Sequence, residues 1–168
     1  MASTLVVEDG TLVANADSYI SLADARAYAA KRGVTLEADD TKADVQLRRA
    51  FDYLESLGSR YKGKKATSGQ LTQWPRKCVY IDGEEISSAV IPVGLQYAQV
   101  QYAAAINSGI DIAPTSDGSP FIVREKVGPL ETEYSDVVVS SGVPTVRTAE
   151  ALLAPLLNST GYLTVERA

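Results

Sequence analysis

The chain has 168 residues, a net charge of −5, a sequence pI near 4.8, 45% hydrophobic residues, one cysteine and no histidine. This is enough apolar material for one packed domain and excludes global disorder. Without histidine there is no Ser-His-Asp or Cys-His catalysis and no imidazole metal ligand, and a lone cysteine excludes an intrachain disulfide.

From the N-terminus, Met1 to Gly10 has no basic region and only a short apolar run, so no signal peptide is expected. Leu5 to Val13 reads as two short β-type runs about Glu8-Asp9-Gly10. Ser21, with Asp24 three residues on, predicts an N-cap for a helix from Leu22 to Lys31 that stops at Gly33. Thr41 with Asp44 predicts a second cap. The helix after it carries Leu47, Ala50, Phe51, Leu54 and Leu57 as an apolar stripe, Arg48 and Asp52 on its wet side, and Gly58 past its end.

Arg60 to Thr72 is loop-like. In Gln73-Trp74-Pro75-Arg76 the proline keeps Trp74 out of the helical region, so Trp74, Pro75 and Arg76 are expected to form an extended structural anchor laid across the helices. Val79-Tyr80-Ile81 predicts a brief strand before an Asp82-Gly83 turn.

Ile86 to Ile110 holds no charged residue. Pro92 suits a first helical turn, and Leu95, Ala98, Tyr102, Ala103 and Ile106 recur at helical spacing. Tyr97, Val100 and Ala104 add a second apolar line. Only Gln96, Gln99 and Gln101 are plainly polar before Asn107-Ser108-Gly109 ends the helix. A helix apolar nearly all round needs burial on more than one side. It is too interrupted for the roughly 20 apolar residues of a membrane span.

Asp111 to Pro120 is punctuated by Pro, Gly and Ser and predicts irregular chain. Phe121 to Val127 and Leu130 to Tyr134 predict two strands about Gly128-Pro129, with Glu131, Glu133 and Asp136 on one acidic face. Val137 to Gly142 leads to a short last helix capped by Thr148. Its apolar residues are Leu152, Leu153, Leu156 and Leu157, and Pro155 divides it. Gly161 to Ala168 is read as a tail. The whole is mainly α: a small helical bundle over residues 1–110, then a β-hairpin and an extended C-terminal arm over 111–168.

The sequence offers no catalytic motif, cofactor-binding motif or metal-ligand spacing, so no catalytic, cofactor or metal residue is assigned. Asp39-Asp40 and Glu84-Glu85 read as solvated surface, and Cys78 as a small, partly buried apolar residue. The one charge anomaly lies between Glu55 and Asp82, where Arg60, Lys62, Lys64, Lys65, Arg76 and Lys77 occur without an acid. Tyr61, Trp74 and Tyr80 are interleaved with them. That pattern fits either a solvated basic loop or a single-stranded nucleic-acid surface working by phosphate contact and stacking.

Asn15 to Ala25, Arg49 to Leu54 and Gln70 to Arg76 resemble the opening, the "RATDYLD" helix and the "QPLxWPR" segment of small tailed-phage neck proteins. Ile91-Pro92, Glu125 to Leu130 and Tyr134 match later blocks in the same order, so the likeness spans residues 15–157. Asp17 interrupts the usual Asn-Ser step, Leu71-Thr72 replaces the usual proline, and Val34 to Asp40 is short. The resemblance implies a head–tail connector, also called an adaptor or head-completion protein. Such a protein is a bundle assembled as a ring, a dodecamer, beneath the portal protein, in the virion neck after assembly in the host cytoplasm. DNA would pass through the lumen without sequence-specific contact, and a distal neck or tail-completion protein would dock below. Subunit or portal contacts are then expected at Tyr97, Val100, Tyr134, Leu152, Leu153 and Leu156. DNA or lumen contacts are expected at Lys62, Lys64, Lys65, Glu131 and Glu133. Some relatives carry a DnaT-like single-strand-binding label. The alternative reading is therefore a nucleic-acid-binding module using Arg60 to Lys77.

Overall fold

The computed structural model describes residues 3–113, 124–127, 130–133 and 145–158. Among them the chain is mainly α, with helices α1 (Leu22–Arg32), α2 (Asp40–Ser56), α3 (Val93–Asn107) and α4 (Arg147–Leu153). Three two-stranded antiparallel ribbons accompany them: β1 (Lys64–Lys65) with β2 (Arg76–Lys77), β3 (Tyr80–Ile81) with β4 (Glu84–Glu85), and β5 (Arg124–Val127) with β6 (Leu130–Glu133). α3 is the centre: α1, α2 and α4 all pack against it. Its Leu95, Ala98, Val100 and Ala103 are fully buried, as the absence of charge along it requires.

The helix ends follow local chemistry. The Ser21 hydroxyl accepts the Asp24 N–H at 3.1 Å, and Gly33, at φ 62°, closes α1 in the left-handed conformation. α2 begins earlier than expected, because Asp39 and not Thr41 caps it, accepting the Lys42 N–H at 2.9 Å. Asp44 is thereby released for another use. Buried, it accepts from the Ser3 hydroxyl at 2.8 Å and the Thr4 N–H at 2.7 Å, and so fastens the start of the chain to α2. Arg48 does not pair with Asp52 one turn on; its Nε donates to Asp17 at 2.6 Å. Pro92 is the N-cap of α3 and not a residue of its first turn.

Four further expectations change. Leu5 to Val13 forms no strand pair. The buried Glu8 carboxylate accepts the N–H groups of Gly10, Leu12 and Val13 at 2.9 to 3.0 Å and holds them as a loop. Within Arg60 to Thr72, a 3₁₀ turn (Gly58–Arg60) and β1 appear, the latter because Lys64 and Lys65 pair with Lys77 and Arg76. Cys78 is exposed, at φ 57°. Thr148 does not cap α4, whose N-cap, Val146, supplies no side-chain bond. Pro155 does divide that region, and a 3₁₀ turn (Ala154–Leu156) follows α4. Ala149, Leu153 and Leu156 enter the same core as the other helices.

The Asp82-Gly83 turn between β3 and β4 forms as expected, with positive φ at both residues. In the β5–β6 hairpin, Val127 stands opposite Leu130, Lys126 opposite Glu131 and Arg124 opposite Glu133. Residues directly opposite in an antiparallel pair share a face of the ribbon. Glu131 and Glu133 thus lie at register positions opposite Lys126 and Arg124. Tyr134, Asp136, Val137 to Gly142 and Gly161 to Ala168 lie outside the described residues.

Candidate functional site

The Gln73-Trp74-Pro75-Arg76 segment is built into the core. Trp74 is fully buried, edge-on to the Tyr61 ring at 5.7 Å between centroids. Its indole N–H meets no acceptor among the described residues, so packing holds the ring. The Trp74–Pro75 bond is cis. Backbone and side-chain bonds converge here. The Tyr19 hydroxyl donates to the Glu55 carboxylate, Gln73 N–H donates to the same carboxylate at 2.8 Å, and Trp74 N–H donates to the Tyr19 oxygen at 3.2 Å. Burial pushes the Glu55 carboxyl up from its ordinary 4.5, against the bonds from Tyr19 and Gln73 that pull it down. Burial and the nearby Glu55 charge push the Tyr19 hydroxyl up, which keeps it a donor.

Arg76 completes this clamp. Its Nε donates to the Lys62 carbonyl at 2.8 Å and its Nη2 to the Gly63 carbonyl at 3.1 Å, and it is itself buried. Lys65 Nζ donates to the Gln70 carbonyl and Lys77 Nζ to the Ala66 carbonyl, both at 3.2 Å. Of the aromatics interleaved with the cations, Tyr61 is 2% exposed and Trp74 0%; Tyr80, at 54%, is open. Three of the six cations, Lys65, Arg76 and Lys77, thus bond the segment's own carbonyls, and Trp74 and Arg76 are closed to a nucleic acid.

Of the expected subunit contacts, Val100, Leu153 and Leu156 fill this chain's own core, because α3 needs α4 to cover it. Tyr97 and Leu152 are half-buried. Tyr97 stacks on Tyr28 at 4.1 Å, with the Arg32 guanidinium 4.4 Å over the Tyr28 ring. These residues line a groove of about 600 Å³ between α1 and the start of α3, beside which Val90 (49% exposed) and Val93 (55%) stand uncovered. A second cleft, of about 490 Å³, opens between Tyr53, Tyr102, Arg60, Lys62, Glu150 and Asn158.

Periodicity hides two of the residues that matter most. Gln99, expected on a polar line, is fully buried. Its Oε1 accepts the Tyr19 N–H, and its Nε2 donates to the Ser18 hydroxyl and the Leu47 carbonyl, all at 2.9 Å. Glu55, which the sequence marks only as the last acid before the basic stretch, is the other: its carboxylate accepts from Tyr19 and Gln73. Among the described residues no group of His, Cys, Asp or Glu is placed to hold a metal ion, and no helix is long and apolar enough to cross a membrane.

This fold and these surfaces define a small, mainly α protein whose central loop is pinned by a buried hydrogen-bonded network. The chain belongs to the family described as "Putative DnaT-like ssDNA binding protein", whose profile matches residues 3–168. No curated protein and no solved structure matches it.

Proposed function

We propose that this protein is a non-enzymatic structural subunit, a head–tail connector of a tailed phage. It assembles as a ring between the portal and the next neck protein, with DNA passing through the middle. The observation that carries this reading is the uncovered apolar edge of the α1/α3 groove. Val90 and Val93 are about half exposed beside the half-buried Tyr97, and all three line the same groove. Contiguous exposed apolar surface on a small domain marks an interface. The sequence blocks that resemble neck proteins also supply this protein's own scaffold: Tyr19, Gln73, Trp74 and Arg76, which meet at Glu55, the residue after the second block.

Light scattering of the isolated protein, alone and with portal protein, tests it. The wild type is expected to enter a ring-sized species with the portal, and Val90→Asp with Val93→Asp to remain folded but fail to do so. A protein that stays monomeric and unbound with the portal defeats the proposal.

A second reading follows from the family description: binding of single-stranded DNA. It does not use Trp74 or Arg76, which are enclosed. Its signature is an affinity for oligonucleotides that falls with added salt.

A further inference from the structure

We infer that the cleft between Tyr53 and the Arg60–Lys62 segment is a binding site for one nucleotide unit of a single strand. The base lies on Tyr53 and the phosphate between Arg60 and Lys62. This rests on the second reading above and gives it a location at the first two cations of the basic segment, which the enclosed Trp74 and Arg76 do not supply.

The backbone sets the chemistry. Tyr61 is extended (φ −70°, ψ 143°) and points its ring into the core, at 2% exposure. Arg60, exposed at the end of the 3₁₀ turn, and Lys62, half-buried just after Tyr61, both line the cleft. The C-terminal segment holds them there. Lys62 N–H donates to the Leu156 carbonyl at 2.9 Å, Asn158 N–H donates to the Arg60 carbonyl at 2.7 Å, and Tyr61 bridges Leu157. Neither cation has a carboxylate within salt-bridge distance among the described residues. Glu150 is the one acid in the lining, against two cations.

The aromatic wall is also prepared. Tyr102, 3% exposed, sits at 4.7 Å from the half-buried Tyr53 with the planes at 58°, and so fixes the ring that lines the cleft. A volume of about 490 Å³ lies within the range of small-molecule sites. A fixed ring beside paired cations is the combination that holds single strands without reading sequence.

The test is fluorescence anisotropy of a labelled oligo(dT) with the full-length protein across a salt series. Three variants are compared with wild type: Arg60→Ala with Lys62→Ala, Tyr53→Leu, and Lys64→Ala with Lys77→Ala as a control on the neighbouring ribbon. Each is first checked for helical content by circular dichroism. The Arg60/Lys62 variant is expected to bind at least about tenfold more weakly, with a log–log salt slope shallower by about 1.4, two contacts at about 0.7 each. Tyr53→Leu should weaken binding about tenfold with the slope unchanged, since stacking carries no charge. If Tyr53→Leu does not fold, the charge variant decides alone. Wild-type affinity and slope in the Arg60/Lys62 variant, with loss in the control, would overturn the cleft and leave the single-strand reading standing. A wild type that binds no oligonucleotide at low salt overturns both.

Discussion

Gln99 shows how one polar side chain can specify an otherwise apolar helix. It meets three groups from two other parts of the chain: the Tyr19 N–H and Ser18 hydroxyl before α1, and the Leu47 carbonyl on α2. Leu47 lies mid-helix, and its carbonyl takes the Gln99 bond with the lone pair the helix leaves unused. A buried polar group left without a partner costs about 1–3 kcal/mol, so removing Gln99 orphans more than it deletes. Gln99→Leu, close in volume, is expected to lose about 2–4 kcal/mol in urea unfolding, more than a typical point substitution. A loss below about 1 kcal/mol would mean the three partners find water or one another. None of this is legible in sequence, because the partners lie 52 to 81 positions away. Asp44 escapes sequence reading for the same reason, with partners 40 and 41 positions away, whereas Glu8 bonds N–H groups only two to five positions away, through a loop that no motif announces. Their carboxylates are occupied by backbone and hydroxyl donors whose positions only the fold decides.

At the scale of elements, the parts that could be read were those decided within a few residues. The Ser21 and Asp24 pair, the Gly33 stop, the apolar stripe from Leu47 to Leu54, the Asp82-Gly83 turn and the division at Pro155 all appear where local chemistry places them. The errors came where two local signals competed, as Asp39 and Thr41 did for the α2 cap. They also came where a segment's partner is distant, as with β1 and β2. Packing between elements adds a constraint that spacing cannot show. A Cβ on Gly94 would stand 2.8 Å from the Leu152 carbonyl, so glycine lets α4 lie close on the first turn of α3. Gly94→Ala favours the isolated helix by about 1 kcal/mol. The contact with α4 opposes this, and the net expectation is a loss of about 1–2 kcal/mol. Urea unfolding checks the sign: a gain in stability would show that α4 yields without cost.

For the whole molecule, the Glu55 network sets how stability responds to pH. Burial raises the folded carboxyl above its ordinary 4.5, so between that value and the raised one the folded state holds a proton that the unfolded chain has released. Stability contributed by this group is therefore fully present below about 4.5 and declines as pH rises through the folded value. Glu55→Gln, which cannot ionise, should lack that decline. Urea midpoints from pH 4 to pH 8 for the two proteins check it, and parallel profiles would show that Glu55 titrates normally. The candidate surfaces were less legible than the fold. The basic segment and its aromatics stood out in the sequence, yet burial decides which of them reach solvent, and it removes Trp74, Tyr61 and Arg76 while leaving Arg60, Lys64, Lys77 and Tyr80 exposed and Lys62 half-buried.

The Gln99 triad has a mechanical corollary. It acts as an indexing pin: rotating α3 about its axis, or sliding it by one turn, would withdraw the amide from all three sockets at once. A push delivered at the Val93 end would carry α3, α2 and the Ser18–Tyr19 segment along as one stiff piece. Whatever grips that end therefore moves a lever and not a hinge.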